Sequence, residues 1–241
     1  MKVKRKKAAI RKQVWDELEG KDIATFPRPV FGRIPNFKGA DDAARKLAEL
    51  DEFKSAKTLK VNPDAPQRMV RYLTLGAGKL LVMPPPRLRS QLNLLDPNTI
   101  PKNALYKAST ISGAFTYGKP LELDAKIKVD LVVMGSVAVS SSGARLGKGE
   151  GYAELEYAVL KMIGAIDDNV PVATTVHEVQ LVDDIPSEDH DVPLDIIVTP
   201  TRIIRTKTKL AKPKGIIWSK VTEEMLEKMP ILSQVKKIAG K

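Results

Sequence analysis

The sequence predicts an α/β protein built on a three-layer, mostly parallel sheet with helices on both faces, Rossmann-like in general plan. Three observations carry that prediction. Short apolar runs alternate with segments of helical periodicity along most of the chain. Several runs, such as Lys79 to Met83 and Val129 to Met134, are nearly continuous rather than alternating, the pattern of strands buried on both faces. Hydrophobic residues fill 43% of the 241 positions, enough for a sizeable core and too many for a disordered chain. Neither an internal repeat nor a low-complexity linker divides the chain, so residues 1–241 read as one domain with a basic C-terminal appendage from about residue 202.

Residues 3–19 read as the first helix, because Ile10, Val14 and Leu18 recur at every fourth position and Gly20 supplies a stop. Prolines 27, 29 and 35 with Gly32 and Gly39 make residues 21–40 an irregular connection. Asp41 and Asp42 then open a helix to about Leu50, with acidic residues at the favourable end of the dipole. Thr58 to Val61 is a short strand ending in the turn Asn62-Pro63-Asp64-Ala65-Pro66, and Pro66 begins a helix to about Gly76. Lys79 to Met83 is a strand stopped by three prolines, and residues 87–120 read as turns. Val129 to Met134 and Ser136 to Val139 read as one or two strands, Tyr152 to Gly164 as a helix, Val170 to Val176 and Leu194 to Thr199 as strands, and Thr222 to Lys228 as a last helix.

Between the strand-like run ending at Val139 and the helix from Tyr152 lies Arg145-Leu146-Gly147-Lys148-Gly149-Glu150-Gly151-Tyr152. Glycines at alternate positions let the backbone turn sharply and bring its N–H groups around an anion. The following helix start adds partial positive charge, and Arg145 and Lys148 add two full charges. The spacing G-x-G-x-G is neither the dinucleotide fingerprint nor the P-loop. The glycines alone therefore leave a phosphate cradle and a ligand-free turn both open.

Composition narrows the classes. With no cysteine, the chain has no disulfide, thiolate nucleophile or Cys-based metal site, which fits a cytoplasmic location. No apolar run approaches the ~18 residues of a membrane helix, and the basic N-terminus lacks the apolar segment of a secretory signal. A net charge of +11 favours anionic partners such as nucleotides or nucleic acid. Two basic runs, residues 2–12 and 202–214, offer RNA a surface, although few aromatics are interleaved for base stacking.

Four separated segments together resemble the 5-formyltetrahydrofolate cyclo-ligase (methenyltetrahydrofolate synthetase) family. Lys7-Ala8-Ala9-Ile10-Arg11 is similar to its N-terminal K-x-x-[LI]-R, and Arg145 to Tyr152 to its R-[LIF]-G-x-G-x-G-Y-Y-D loop. Asp191, within Glu188 to Asp195, matches a family acidic position, and the strand order between these segments agrees. Asn62 to Gln67, Gly149 to Tyr157 and Leu194 to Arg202 look like the branch of methenyltetrahydrofolate synthase domain-containing proteins. The resemblance covers residues 5–235. It implies ATP- and Mg²⁺-dependent closure of 5-formyltetrahydrofolate to 5,10-methenyltetrahydrofolate, with the formyl oxygen taking the γ-phosphoryl group. The residues it assigns are Lys7, Arg11, Gly147, Gly149, Glu150, Gly151 and Tyr152 for ATP, and Arg145 and Lys148 for charge neutralisation during transfer. Asn62, Asp64 and Gln67 are assigned to the folate-type substrate, and Glu154 and Asp191 to Mg²⁺. Phosphoryl transfer needs positioning and positive charge rather than a nucleophilic side chain, which this set supplies. One departure stands out: the family's Tyr-Tyr-Asp reads Tyr152-Ala153-Glu154 here.

Each assignment has a plainer counterpart. Lys7 and Arg11 fit a solvated helix face, Glu154 a favourable dipole contact, and Asp191 a turn. His177 reads as a satisfied strand histidine, and two histidines this far apart make no zinc site. Trp218 reads as a packing anchor.

Overall fold

The computed structural model describes residues 2–238 and 240. Its strands are β1 (Thr58–Val61), β2 (Leu80–Met83), β3 (Asn93–Leu95), β4 (Lys119–Pro120), β5 (Leu131–Val133), β6 (Ala138–Val139), β7 (Arg145–Leu146), β8 (Val172–Thr175), β9 (Ile196–Val198) and β10 (Ile203–Arg205). Eight of them form one sheet in the order β10-β9-β8-β5-β1-β2-β3-β4. The five central strands run parallel, while β10, β3 and β4 extend the sheet antiparallel at its two edges.

Both faces are covered, as the apolar runs require. Leu59, Val61, Leu131, Val133, Ile196 and Val198 point to one face, where α2 (Ala40–Ala48), α3 (Asp51–Ser55) and α4 (Arg68–Gly76) contribute Leu47, Phe53 and Val70. Helices α5 (Leu105–Ala108) and α6 (Ile111–Tyr117) extend that layer. The alternate residues Val82, Val132, Val172 and Ile197 point to the other face, as a period of two demands. There they meet Tyr157 and Leu160 of α7 (Tyr152–Met162) and Ile231, Leu232 and Val235 of α9 (Pro230–Ile238), which follows the short α8 (Glu223–Lys228). Helix α1 (Lys2–Gly20) buries Val14 and Leu18 in a third cluster, against Val137, Ala138 and Leu146.

Several sequence expectations are corrected. The run 136–139 does not continue the central sheet. After β5 the chain breaks at Gly135, and β6 pairs with β7 as a separate hairpin, so the glycine loop follows a hairpin rather than a core strand. Ser140 closes the hairpin turn, its Oγ accepting from Ala144 N at 3.2 Å. Pro66 lies in a 3₁₀ turn, Ala65–Gln67, ahead of α4. Residues 87–120 hold β3, β4, α5 and α6; these elements are too short to show a period. His177 lies past the end of β8 and caps a 3₁₀ turn, its Nδ1 accepting from Val179 N. The chain past 202 begins with β10 on the sheet edge and ends in α9, whose apolar face lies in the core. Trp218 packs against that core.

Candidate active site

The parallel strands β1 and β5 are neighbours, and from them the chain proceeds outward to β2 on one side and to β8 and β9 on the other. In open α/β sheets the crevice at the carboxyl ends of such a strand pair is the usual ligand site. Here that crevice is a cleft of about 1330 Å³. Thirteen of the fourteen residues singled out from the sequence line it: Lys7, Arg11, Asn62, Asp64, Arg145, Gly147, Lys148, Gly149, Glu150, Gly151, Tyr152, Glu154 and Asp191. Gln67 is buried beneath, donating to Thr175 Oγ1 at 3.0 Å.

The glycine-loop wall is a lattice of paired charges. Lys7 is buried, and its ammonium donates to Asp191 at 2.5 Å and Glu188 at 2.9 Å. Burial alone would depress its pKa, but the two carboxylates outweigh that and raise it. Arg11, one helical turn on, donates from Nε to Gly147 O at 2.7 Å, and burial pulls its pKa down. Gly149 has φ +103°, where a side chain is strained, and an added Cβ would press on Arg11 Cζ at 3.2 Å. Lys148 pairs with Glu150 at 2.6 Å. Arg145 is buried, donating to Gly135 O at 2.5 Å and pairing with Glu154. Burial pushes the Glu154 carboxyl up, yet the Arg145 guanidinium brings it below the usual range. Gly151 caps α7 with no side-chain capping bond, which leaves the first-turn N–H groups aimed at the loop.

The β1 wall is different. Asp64 is partly buried, and its carboxylate has no hydrogen-bond partner among the described residues; desolvation holds its pKa up. Gln67 Oε1 and Arg68 Nε are buried without partners among the described residues. These groups crowd Gly135: a Cβ there would lie 2.6 Å from Asp64 Oδ2 and 2.9 Å from Gln67 Oε1. Phe26, Phe31, Ile34 and Ile111 add apolar surface to the cleft.

Four functional groups escape a pattern-based reading. Lys60, wholly buried, points to the α7 face and donates to Glu156 at 2.7 Å, with Asn62 donating to the same oxygen at 2.6 Å. Burial raises the Glu156 pKa despite Lys60. A lysine in the middle of Thr-Leu-Lys-Val is the signal, since a charge there must find a partner. Arg71 clamps the turn after β1 by donating to Asn62 O at 2.5 Å, Asp64 O at 3.0 Å and Ser109 O at 2.7 Å; burial pulls its pKa down to about 9. Arg68 lies 4.2 Å over the Tyr106 ring. Parts of both basic runs are neutralised: Lys6 by Asp184, Lys12 by Asp16, Arg205 by Glu52 and Lys212 by Asp195.

A doubly wound sheet whose switch-point cleft joins a glycine loop, a helix N-terminus and a set of cationic side chains defines an α/β protein with a cleft at the carboxyl ends of its central strands. The model of the 5-formyltetrahydrofolate cyclo-ligase family matches residues 3–200, and the chain belongs to that family. It is 51% identical over 235 residues to a bovine methenyltetrahydrofolate synthase domain-containing protein, covering 95% of this chain and 62% of the relative. It is 51% identical over 243 residues to the mouse protein of that name, covering 98% of this chain and 65% of the relative. The chain thus spans under two thirds of the length of these curated relatives. The solved structure of the 5,10-methenyltetrahydrofolate synthetase of Aquifex aeolicus shares the fold, with a TM-score of 0.52 at 21% identity, covering 85% of this chain and 95% of that one.

The residues present fit a nucleotide's phosphates: the Arg11 guanidinium lies against the Gly149 backbone, where no Cβ intervenes, and Lys7 and Lys148 line the same cleft. Among the described residues no group of three or more His, Asp or Glu is placed to hold a metal ion. Mg²⁺ needs only one or two protein carboxylates when phosphates and water complete its shell, and Glu154 and Asp191 line the same cleft. No helix among the described residues is long and apolar enough to cross a membrane.

Proposed function

We propose that this protein is an ATP- and Mg²⁺-dependent cyclo-ligase that converts 5-formyltetrahydrofolate to 5,10-methenyltetrahydrofolate. The observation that carries the reading is the meeting, in one cleft, of Lys7, Arg11 and Lys148 around the glycine loop with the unpaired Asp64 at the end of β1. Family membership supports a cyclo-ligase reaction. The formyl oxygen attacks the γ-phosphorus and ADP leaves; N10 then adds to the activated formyl carbon and gives up its proton, and the C–O bond breaks as inorganic phosphate departs with that proton and the ring closes. Glu154 and Asp191 would hold Mg²⁺, which would offset the negative charge of the phosphates.

The chain's own residues position and neutralise. Arg11, Lys148 and the first-turn N–H groups of α7 hold the phosphates. Lys7 stays charged at neutral pH because Asp191 and Glu188 hold its proton. Arg145 fixes the glycine loop to the end of β5 through Gly135 O. Asp64 accepts a donor of the pterin, and Asn62 and Gln67 shape that turn. Phe26, Phe31 and Ile34 cover the flat part of the substrate. The test is direct: the purified protein with Mg-ATP and 5-formyltetrahydrofolate gives the near-ultraviolet absorbance of the methenyl product and one ADP per product. No product and no ADP overturn the reading.

The rival reading, an RNA-binding module, rests on exposed cations such as Lys4, Arg5, Lys207 and Lys209. It predicts RNA affinity falling with log salt at about 0.7 to 0.9 per phosphate contact; a flat salt response excludes it.

A further inference from the structure

Strand β1 carries a charge where its neighbours carry none. Lys60 is in register with Val82 of β2 and Val132 of β5, and Val132 with Val172 of β8. The row across these four parallel strands is apolar except at Lys60, which is wholly buried and reaches toward α7. Lys60 Nζ donates to Glu156 Oε2 at 2.7 Å and to Asn62 Oδ1 at 3.2 Å, and Asn62 Nδ2 donates to the same Glu156 oxygen at 2.6 Å. The three side chains close a triangle. The Asn62 amide stands only one way in it, since lysine only donates and an ionised carboxylate only accepts. Stability does not call for this arrangement. Taking two ions out of water is costly, and replacing a buried pair by apolar side chains of similar volume is often neutral or stabilising.

What the triangle does is join two elements that carry different walls of the cleft. Asn62 follows β1 directly, in the turn that presents Asp64. Glu156 stands on α7, two residues past Glu154, whose partner Arg145 leads into the glycine loop. Residues two apart on a helix face different ways, so α7 is gripped at Glu154 from the loop side and at Glu156 from the β1 side. We propose that Lys60 and Glu156 are positioning residues: through Asn62 they set the spacing between the β1 turn and the first turns of α7, and so the approach of the formyl oxygen to the γ-phosphorus. The role rests on the cyclo-ligase reading above. Neither side chain need touch a substrate. Phosphoryl transfer is catalysed mainly by placement and charge neutralisation, and a displacement of about 1 Å can cost ~100-fold in rate. Apolar contacts between α7 and the sheet are non-directional and admit such a shift. Three hydrogen bonds converging at 2.6, 2.7 and 3.2 Å resist it.

Steady-state kinetics of the full chain with Mg-ATP and 5-formyltetrahydrofolate, read beside urea unfolding, test this with two variants. Lys60→Met/Glu156→Leu removes the triangle and leaves no unpaired charge. It is at least as stable as wild type, keeps both KM values near wild type and loses kcat roughly 10- to 100-fold. Glu156→Gln keeps an oxygen within reach of both donors but strips Lys60 of its counter-charge. It is less stable than wild type and yet recovers most of the lost kcat. The order of rates thus opposes the order of stabilities, which a merely structural pair does not produce. Wild-type kcat in the double variant, or rates that follow stability, overturn the proposal. So does a double variant that fails to fold, because the charges then serve the fold. A rise in the KM for 5-formyltetrahydrofolate with kcat unchanged also overturns it, because the pair then contacts the substrate. If the wild type yields no methenyl product, the cyclo-ligase reading falls and the positioning role with it.

Discussion

On the glycine-loop wall of the cleft every charge is met: Lys7 by Asp191 and Glu188, Lys148 by Glu150, Arg145 by Glu154, and Arg11 by a loop carbonyl. On the β1 wall, Asp64 lacks a partner among the described residues, and Gln67 Oε1 and Arg68 Nε are buried without one. Burying unpaired polar atoms opposes folding, so the first wall is rigid and preformed, whereas the second keeps its bonding capacity for a ligand. The walls touch at Gly135, which gives its carbonyl to Arg145 and its missing Cβ to Asp64. The difference separates two tasks: positioning a highly charged nucleotide, and reading the polar edge of a second substrate.

Breaking the paired wall has the largest effect. Arg145→Ala leaves Glu154 and Gly135 O without their partner in a mostly buried setting, and urea unfolding should show a loss of about 3–5 kcal/mol. The double variant Arg145→Ala/Glu154→Ala loses less than Arg145→Ala alone, because no uncompensated carboxylate remains. Next comes Arg11→Ala, whose lost charge-assisted contact, worth about 1.5–3 kcal/mol, weakens Mg-ATP binding roughly 10- to 100-fold in a calorimetric titration.

Gly135→Ala forces a methyl toward Asp64 and Gln67, and overpacking of that kind costs about 1–3 kcal/mol. It should raise the KM for the folate-type substrate more than that for ATP in steady-state kinetics. The smallest effect carries a pH signature. The folded pKa of Asp64 lies above its unfolded value, so ionised Asp64 opposes folding at neutral pH, and that penalty disappears as pH falls through the folded and then the unfolded value. Asp64→Asn is therefore more stable than wild type at pH 7, with the gain gone near pH 3. Glu154 has the opposite sign: its depressed pKa gives stability that is present above about pH 4 and lost as pH falls through the folded value. Denaturant melts at several pH values distinguish the two.

Much of the central sheet was legible because continuous apolar runs identify strands buried on two faces, and the glycine loop was visible in its three alternate glycines, although those alone left a ligand-free turn open. The hairpin β6–β7 was not legible. Ala138 and Val139 look like a continuation of β5, and only the steric demand at Gly135 separates them. Nor were the edge strands β3 and β4, since three and two residues are too few to show a period. In the site, Lys7 and Arg11 could be paired by helical spacing, but the partners of Lys7 lie 181 and 184 positions away, a distance no local pattern crosses. Lys60 and Arg71 were hidden by their context. Each sits in an apolar or helical segment whose pattern reads well without them, and their meaning depends on Glu156 and on three backbone carbonyls supplied by the fold.

The division of labour between the walls is tested most directly by initial-rate kinetics with both substrates varied, comparing Arg11→Ala with Asp64→Asn. The account predicts that Arg11→Ala raises the KM for ATP and leaves that for 5-formyltetrahydrofolate near wild type, whereas Asp64→Asn does the reverse. Both variants shifting the same constant, or neither shifting either, would contradict it.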